Sequence, residues 1–169
     1  MRFKKAFVRA QNLKFSLEFD NSRRVHRQFI HLDSEKMGSY EEKLSILAEM
    51  ISFARIDNTL KKVEYDFLLG VADQLGVDKS AFESLFHNKV EHILPKSQAD
   101  RILQFHRLVL LMNVDRYQRM AELNKLHSIG MRMGLSPGAI DQVLSVMHQY
   151  PDNIVPPEVL LDIFRASYN

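Results

Sequence analysis

From Tyr40 onward the apolar positions recur at three- and four-residue intervals, the spacing that gathers side chains on one face of an α-helix. Leu44, Leu47, Ala48, Ile51 and Ala54 predict a first helix, and Val63, Phe67, Leu68, Val71 and Leu75 a second that Gly76 stops. Asp78 is placed to cap a short third helix carrying Ala81, Phe82, Leu85 and Phe86. The stretch from His87 to Pro95 has no period and reads as a connection. Ser97 then caps a fourth helix with Ile102, Phe105, Leu108, Val109 and Met112 inside, and a fifth runs to Met133 and is stopped by Gly134. Ser136-Pro137 is a cap followed by a first-turn proline, which predicts a sixth helix with Ile140, Val143, Leu144 and Met147 buried. Pro151, Pro156 and Pro157 interrupt the chain before a short closing helix with Val159, Leu160, Ile163 and Phe164. No period-two run follows residue 40, so the expected fold is all-α, a compact orthogonal bundle of about seven helices.

A weak internal repeat organises that pattern. Ile56-Asp57-Asn58 aligns with Val114-Asp115-Arg116, and Glu64, Leu68, Gly76 and Ala81 then fall on Glu122, Leu126, Gly134 and Ala139. Both halves read as helix, acidic turn, long helix, glycine stop and short capped helix. Two helical hairpins obeying the same capping rules would look the same, so the pattern is compatible with duplication or with shared local chemistry.

Residues 1–36 differ. They hold nine Lys/Arg against four Asp/Glu, whereas residues 37–169 hold fourteen against seventeen. A mildly acidic body is a poor surface for duplex nucleic acid, which is bound by neutralising phosphates. Any nucleic-acid or anionic-lipid contact therefore belongs to the basic segment, in which Phe3, Phe7 and Ala10 would line a helix and Phe15 to Phe19 alternates like a short strand. The alternative is an untidy extension, or an over-called start ahead of Met37. The organisation expected is thus an extension over 1–36 and a helical domain over 37–169. A charged share of 26% and a hydrophobic share of 46% exclude a disordered chain. The absence of cysteine excludes disulfides and thiolate metal sites and suits the cytoplasm. No apolar run is long enough to cross a bilayer, and no secretory leader follows the basic start.

The twice-used unit Arg55-Ile56-Asp57-Asn58 to Glu64, closing at Gln74-Leu75-Gly76-Val77, and Asn113-Val114-Asp115-Arg116 to Glu122, closing at Arg132-Met133-Gly134-Leu135, resembles the TerB-like (tellurite-resistance) helical family over about residues 40–150. That family carries an Ala-Asp-Gly turn, a Glu seven residues on, and a long helix ending in Leu-Gly. The turn glycine is replaced by Asn58, which tolerates a left-handed backbone, and by Arg116, which does so less readily. The small hydroxylic residue that often precedes the Glu is replaced by Lys61 and Arg119. The family's capping box is therefore expected to be absent, with Thr59, Asn58 or Asp57 capping the second helix. The resemblance implies a non-enzymatic interaction module of bacterial stress-response or membrane-associated complexes, the protein partner being unspecified.

It also implies a candidate divalent-cation site, Mg²⁺ or Ca²⁺, at Asp57, Glu64, Asp115 and Glu122, since hard cations take carboxylate oxygens. Seven residues of continuous helix span about 10 Å, so one ion would need the turn to fold back or the two copies to face each other. The competing reading makes Asp57 and Asp115 helix caps and Glu64 and Glu122 partners of helix dipoles, with Lys61, Lys62, Arg116 and Arg119 neutralising the acids. A small metal-dependent enzyme using the same acids would require His106 or His127 to converge on them.

Other chemistry finds less support. His87 and His92 flank Glu91, but no HExxH is present, and His106 and His127 are expected at packing boundaries. Neither a G-x-S-x-G elbow nor a phosphate-binding G-x-x-x-x-G-K-[ST] loop occurs, and no catalytic residue is assigned. Met112, Met120, Met131, Met133 and Met147 are read as core filler, with an adaptable partner groove as the alternative. Residues 151–157 either strap the last helix down or present Ile154 and Val155 for docking.

Overall fold

Among the described helices, three begin at a Ser or Asp whose side chain accepts an orphaned backbone N–H, and two stop at a left-handed glycine. The computed structural model describes residues 38–115, 117 and 119–167, so the expectations for residues 1–36 and for Arg116 lie outside the described residues. Helix α1 spans Tyr40–Ala54, its cap Ser39 accepting from the Glu42 N–H at 3.3 Å. Glu41 and Glu42 place negative charge in its first turn, where the helix dipole favours it. Helix α2 spans Lys62–Leu75 and α3 Lys79–Ser84, the latter capped by Asp78 through the Ala81 N–H at 2.9 Å. Helix α4 spans Gln98–Asn113 and is capped by Ser97. Helix α5 covers Met120–Arg132 and α6 Pro137–Val146, with Pro137 in its first turn. Two short 3₁₀ turns, Met147–Gln149 and Pro151–Asn153, lead to α7 at Pro157–Ala166. Among the described residues there is no strand. The seven predicted helices are all present, and the all-α class stands.

The two glycine stops are built alike. Gly76 and Gly134 hold left-handed backbones, φ 69° and 73°, which cost a glycine nothing. Val77 N–H then reaches back to the Ala72 carbonyl at 2.9 Å and Leu135 N–H to the Gly130 carbonyl at 3.1 Å. Val77 and Leu135 are both buried, the apolar contact that completes this type of helix ending.

Helix α4 is the axis of the bundle. It packs against α1, α2, α5 and α7, and from Gln104 to Asn113 every residue is buried. The apolar stripe predicted for it is therefore only part of what it buries. Leu110 and Leu111 are inside as well, together with the polar Gln104, His106, Arg107 and Asn113. Around this axis lie Leu47, Met50 and Phe53 of α1, Leu68 and Val71 of α2, Leu126 and Ile129 of α5, Ile140 and Val143 of α6, and Leu160 and Phe164 of α7. Gly130 lets α5 approach: a Cβ there would lie 2.7 Å from Ile140 Cδ1 and 3.1 Å from Phe105 Cε2. The methionines divide, with Met112, Met133 and Met147 in the core and Met120 and Met131 exposed. Of the Pro-bounded stretch, Val155 and Pro157 are buried, so it pins α7 to the body.

Candidate functional site

Helix α1 ends at Ala54 without a glycine, and the chain turns through Ile56 N–H to the Phe53 carbonyl and Asn58 N–H to the Arg55 carbonyl. Asn58 takes up the left-handed conformation, φ 61°, that a glycine would otherwise supply. Asp57 then folds over the backbone that follows, its Oδ1 accepting from Thr59 N–H at 3.0 Å and Thr59 Oγ1–H at 2.7 Å. This is an Asx turn and not a helix cap. The N-cap of α2 is Lys61, in extended conformation, and its N–H donates to Glu64 Oε2 at 2.7 Å. Thus the expectation that Asp57, Asn58 or Thr59 caps α2 is corrected. Half of a capping box survives, because Glu64 can reach back to the N-cap N–H whatever side chain the N-cap residue carries.

The second turn repeats these bonds. Asp115 Oδ1 accepts from Tyr117 N–H at 2.8 Å, Arg119 is the N-cap of α5, and the Arg119 N–H donates to Glu122 Oε2 at 3.1 Å. The reading of Asp115 as a helix cap is corrected in the same way.

The two turns face each other and are tied crosswise. The Lys61 ammonium pairs with Asp115 Oδ2, and the Arg119 guanidinium pairs with Asp57 Oδ2. Each cation thus neutralises the aspartate of the other turn. The Lys61 ammonium also stands 5.5 Å from the centre of the Tyr117 ring, within cation–π range. Lys62 takes no part in the tie and pairs with Asp66 one turn along α2.

The electrostatics separate the acids into two kinds. Hydrogen bonds from the Thr59 hydroxyl and N–H, helped by Arg119, hold the Asp57 carboxyl below the usual range. The Asp115 bond holds the Lys61 ammonium above its own. Burial pushes the Glu64 and Glu122 carboxyls up against the bonds from Lys61 and Arg119 N–H, and the nearby Asp115 charge pushes both in the same direction. All four predicted acids are therefore brought into one cluster, as facing copies and not as a folded-back single turn.

In this arrangement the carboxylate oxygens of the cluster are turned to internal donors. Both oxygens of Asp57 and of Asp115 already accept from internal donors, and one oxygen of each glutamate is held by an N–H. A divalent cation takes carboxylate oxygens, so it would have to compete with these donors. Among the described residues, no three His, Asp or Glu side chains are grouped so as to hold a metal ion.

The histidines lie elsewhere. His106 is 1% exposed on α4, bonded to the backbone of Val155, and burial pushes its imidazole down to about 4. It is a core residue and not a boundary one. His127 does sit at a boundary, its Nε2 3.2 Å from Asp141 Oδ1 across α5 and α6.

A second polar junction had no sequence signal. Glu49, near the middle of α1, accepts from His92 at 3.0 Å, Arg132 at 3.2 Å and Gln104 at 3.4 Å. It gathers the connection after α3, the end of α5 and the start of the α4 core. Nothing in the spacing of these four residues marks them as neighbours.

Among the described residues, no helix is long and apolar enough to cross a membrane. Compared with known proteins, the chain matches no family model, no curated protein and no solved structure.

Proposed function

We propose that this chain is a TerB-like, non-enzymatic interaction module that presents the face of its two cross-tied acidic turns to a protein partner. The observation that carries the reading is the placing of Tyr117 and Met120, each 70% exposed, at the start of α5 beside the charged tie. A large aromatic and a flexible thioether, ringed by paired charges and held on a braced backbone, have the composition of an interface centre. The repeated order of acidic turn, capped helix and glycine stop supports the family reading. The cluster's charge is met by Lys61 and Arg119, so the face works as an electrostatic patch without an ion at its centre.

The test compares the full chain with a Tyr117→Asp/Met120→Asp variant as baits. Both substitutions are exposed, and circular dichroism should be unchanged. The reading expects a partner retained by the parent at matched concentration and lost, about tenfold or more in affinity, with the variant. Equal retention by both would contradict it. Titration of the full chain with Mg²⁺ or Ca²⁺ should show no saturable heat at millimolar concentration. Saturable binding abolished by Asp57→Asn/Asp115→Asn would make the patch a cation site instead.

A further inference from the structure

Each aspartate of the paired turns has two structural duties. One oxygen of Asp57 shapes its own turn through Thr59, and the other binds Arg119 at the start of α5. One oxygen of Asp115 shapes its own turn through Tyr117, and the other binds Lys61 at the start of α2. Lys61 and Arg119 are in turn fixed at their N–H groups by Glu64 and Glu122. Followed around, these bonds run from the first turn to the second helix start, and from the second turn to the first helix start. Neither turn is braced by its own half alone.

We infer that the two turns form a reciprocal latch, in which displacing either aspartate loosens both helix starts together. Side chains that share partners in one hydrogen-bonded network are coupled, whereas independent surface pairs add. The latch has a weak arm and a strong arm. Asp115 is 5% exposed at its side chain and its partner Lys61 34%, while Asp57 is 29% exposed and Arg119 39%. Salt screens the more exposed pair first, so opening begins at Arg119–Asp57 and passes to Tyr117 through the loosened second turn. A disturbance at residue 57 is thereby felt at the exposed Tyr117–Met120 edge. This inference stands on the bond circuit alone, whether or not that edge binds a partner.

The experiment is amide NMR and thermal unfolding of the full chain carrying Asp57→Asn, Asp115→Asn or both. The latch predicts that Asp57→Asn shifts the Tyr117, Arg119 and Glu122 amides as well as Thr59, and that Asp115→Asn shifts Thr59 and Glu64. It also predicts that the double variant unfolds less readily than the singles would sum to, by at least about threefold in the unfolding constant. If the aspartate variants fail to fold, Lys61→Met and Arg119→Met cut the same ties while leaving both Asx turns, and the same cross-turn shifts are expected. Shifts confined to the substituted turn, with additive losses, would overturn the latch.

Discussion

The buried row Gln104, His106, Arg107 and Asn113 on α4 and the paired turns around Asp57 and Asp115 both concentrate polar side chains, and they satisfy them by different means. On α4 the partners are chiefly backbone carbonyls: Gln104 donates to the Ile46 carbonyl at 3.3 Å as well as to Glu49, and Asn113 to the Val109 carbonyl at 2.9 Å and the Asn153 carbonyl at 3.3 Å. In the turns the partners are mostly other charged side chains and the N–H groups of the next few residues. Backbone partners inside a core leave nothing for salt to screen and nowhere for a new charge to go. Charged partners at a rim are sensitive to salt and replaceable by charge exchange. The row on α4 should therefore dominate stability, and the turns should dominate the response of the surface.

The comparison breaks most visibly under acid. His106 has its pKa depressed from 6.5 to about 4, so the fold favours the neutral ring. Its stabilising contribution is complete above about pH 6.5 and declines as the pH falls towards 4, by on the order of 3 kcal/mol. Glu64 and Glu122, with raised values, act in the opposite direction: the penalty on their charged forms is relieved by acid. Chemical denaturation between pH 7.5 and 4.5 should show a net loss, and His106→Gln, which does not titrate, should flatten it. An unchanged slope in that variant would remove His106 as the cause.

Next in size is Asn113→Ala, which leaves the Asn153 carbonyl without this donor and should cost about 2 kcal/mol at any salt concentration. Asp115→Ala should approach that figure, about 1–2 kcal/mol, because its side chain is nearly enclosed. The loss from Asp57→Ala should be smaller and should shrink further in 1 M NaCl, where exposed pairs are screened. Equal, salt-independent losses at the two aspartates would show that burial does not distinguish the arms. Smallest are the glycine stops: Gly76→Ala and Gly134→Ala should each cost about 1 kcal/mol and match one another, since neither added Cβ meets a clash and both backbones are left-handed. A clear difference between them would mean that the two halves are less alike than their hydrogen bonds.

These regions also mark what could be read in advance. Helix period, the Asp78 and Ser97 caps and the Gly76 and Gly134 stops are local, so the seven helices were legible. The repeated Asp57…Glu64 and Asp115…Glu122 spacing was legible too, and so were the nearby cations. Which cation meets which acid was not, because Lys61 and Arg119 bypass their own turns for the opposite one. His106 was misplaced, and the other buried polar residues of α4 went unread, for a related reason. A helix surrounded by four others loses the distinction between an inner and an outer face, and periodicity then reports only its most apolar stripe. The Glu49 junction joins residues from α1, α4, α5 and a connection, and no local rule links them.

The crosswise tie is tested most directly by exchanging its charges. Asp57→Arg and Arg119→Asp each set like charges against the rest of the cluster, and each alone should lower the thermal midpoint measurably at low salt. Combined in one chain they restore the pairing with reversed polarity, and the midpoint should recover by at least about half of the summed loss. Losses that simply add in the double variant would contradict the pairing of the two turns.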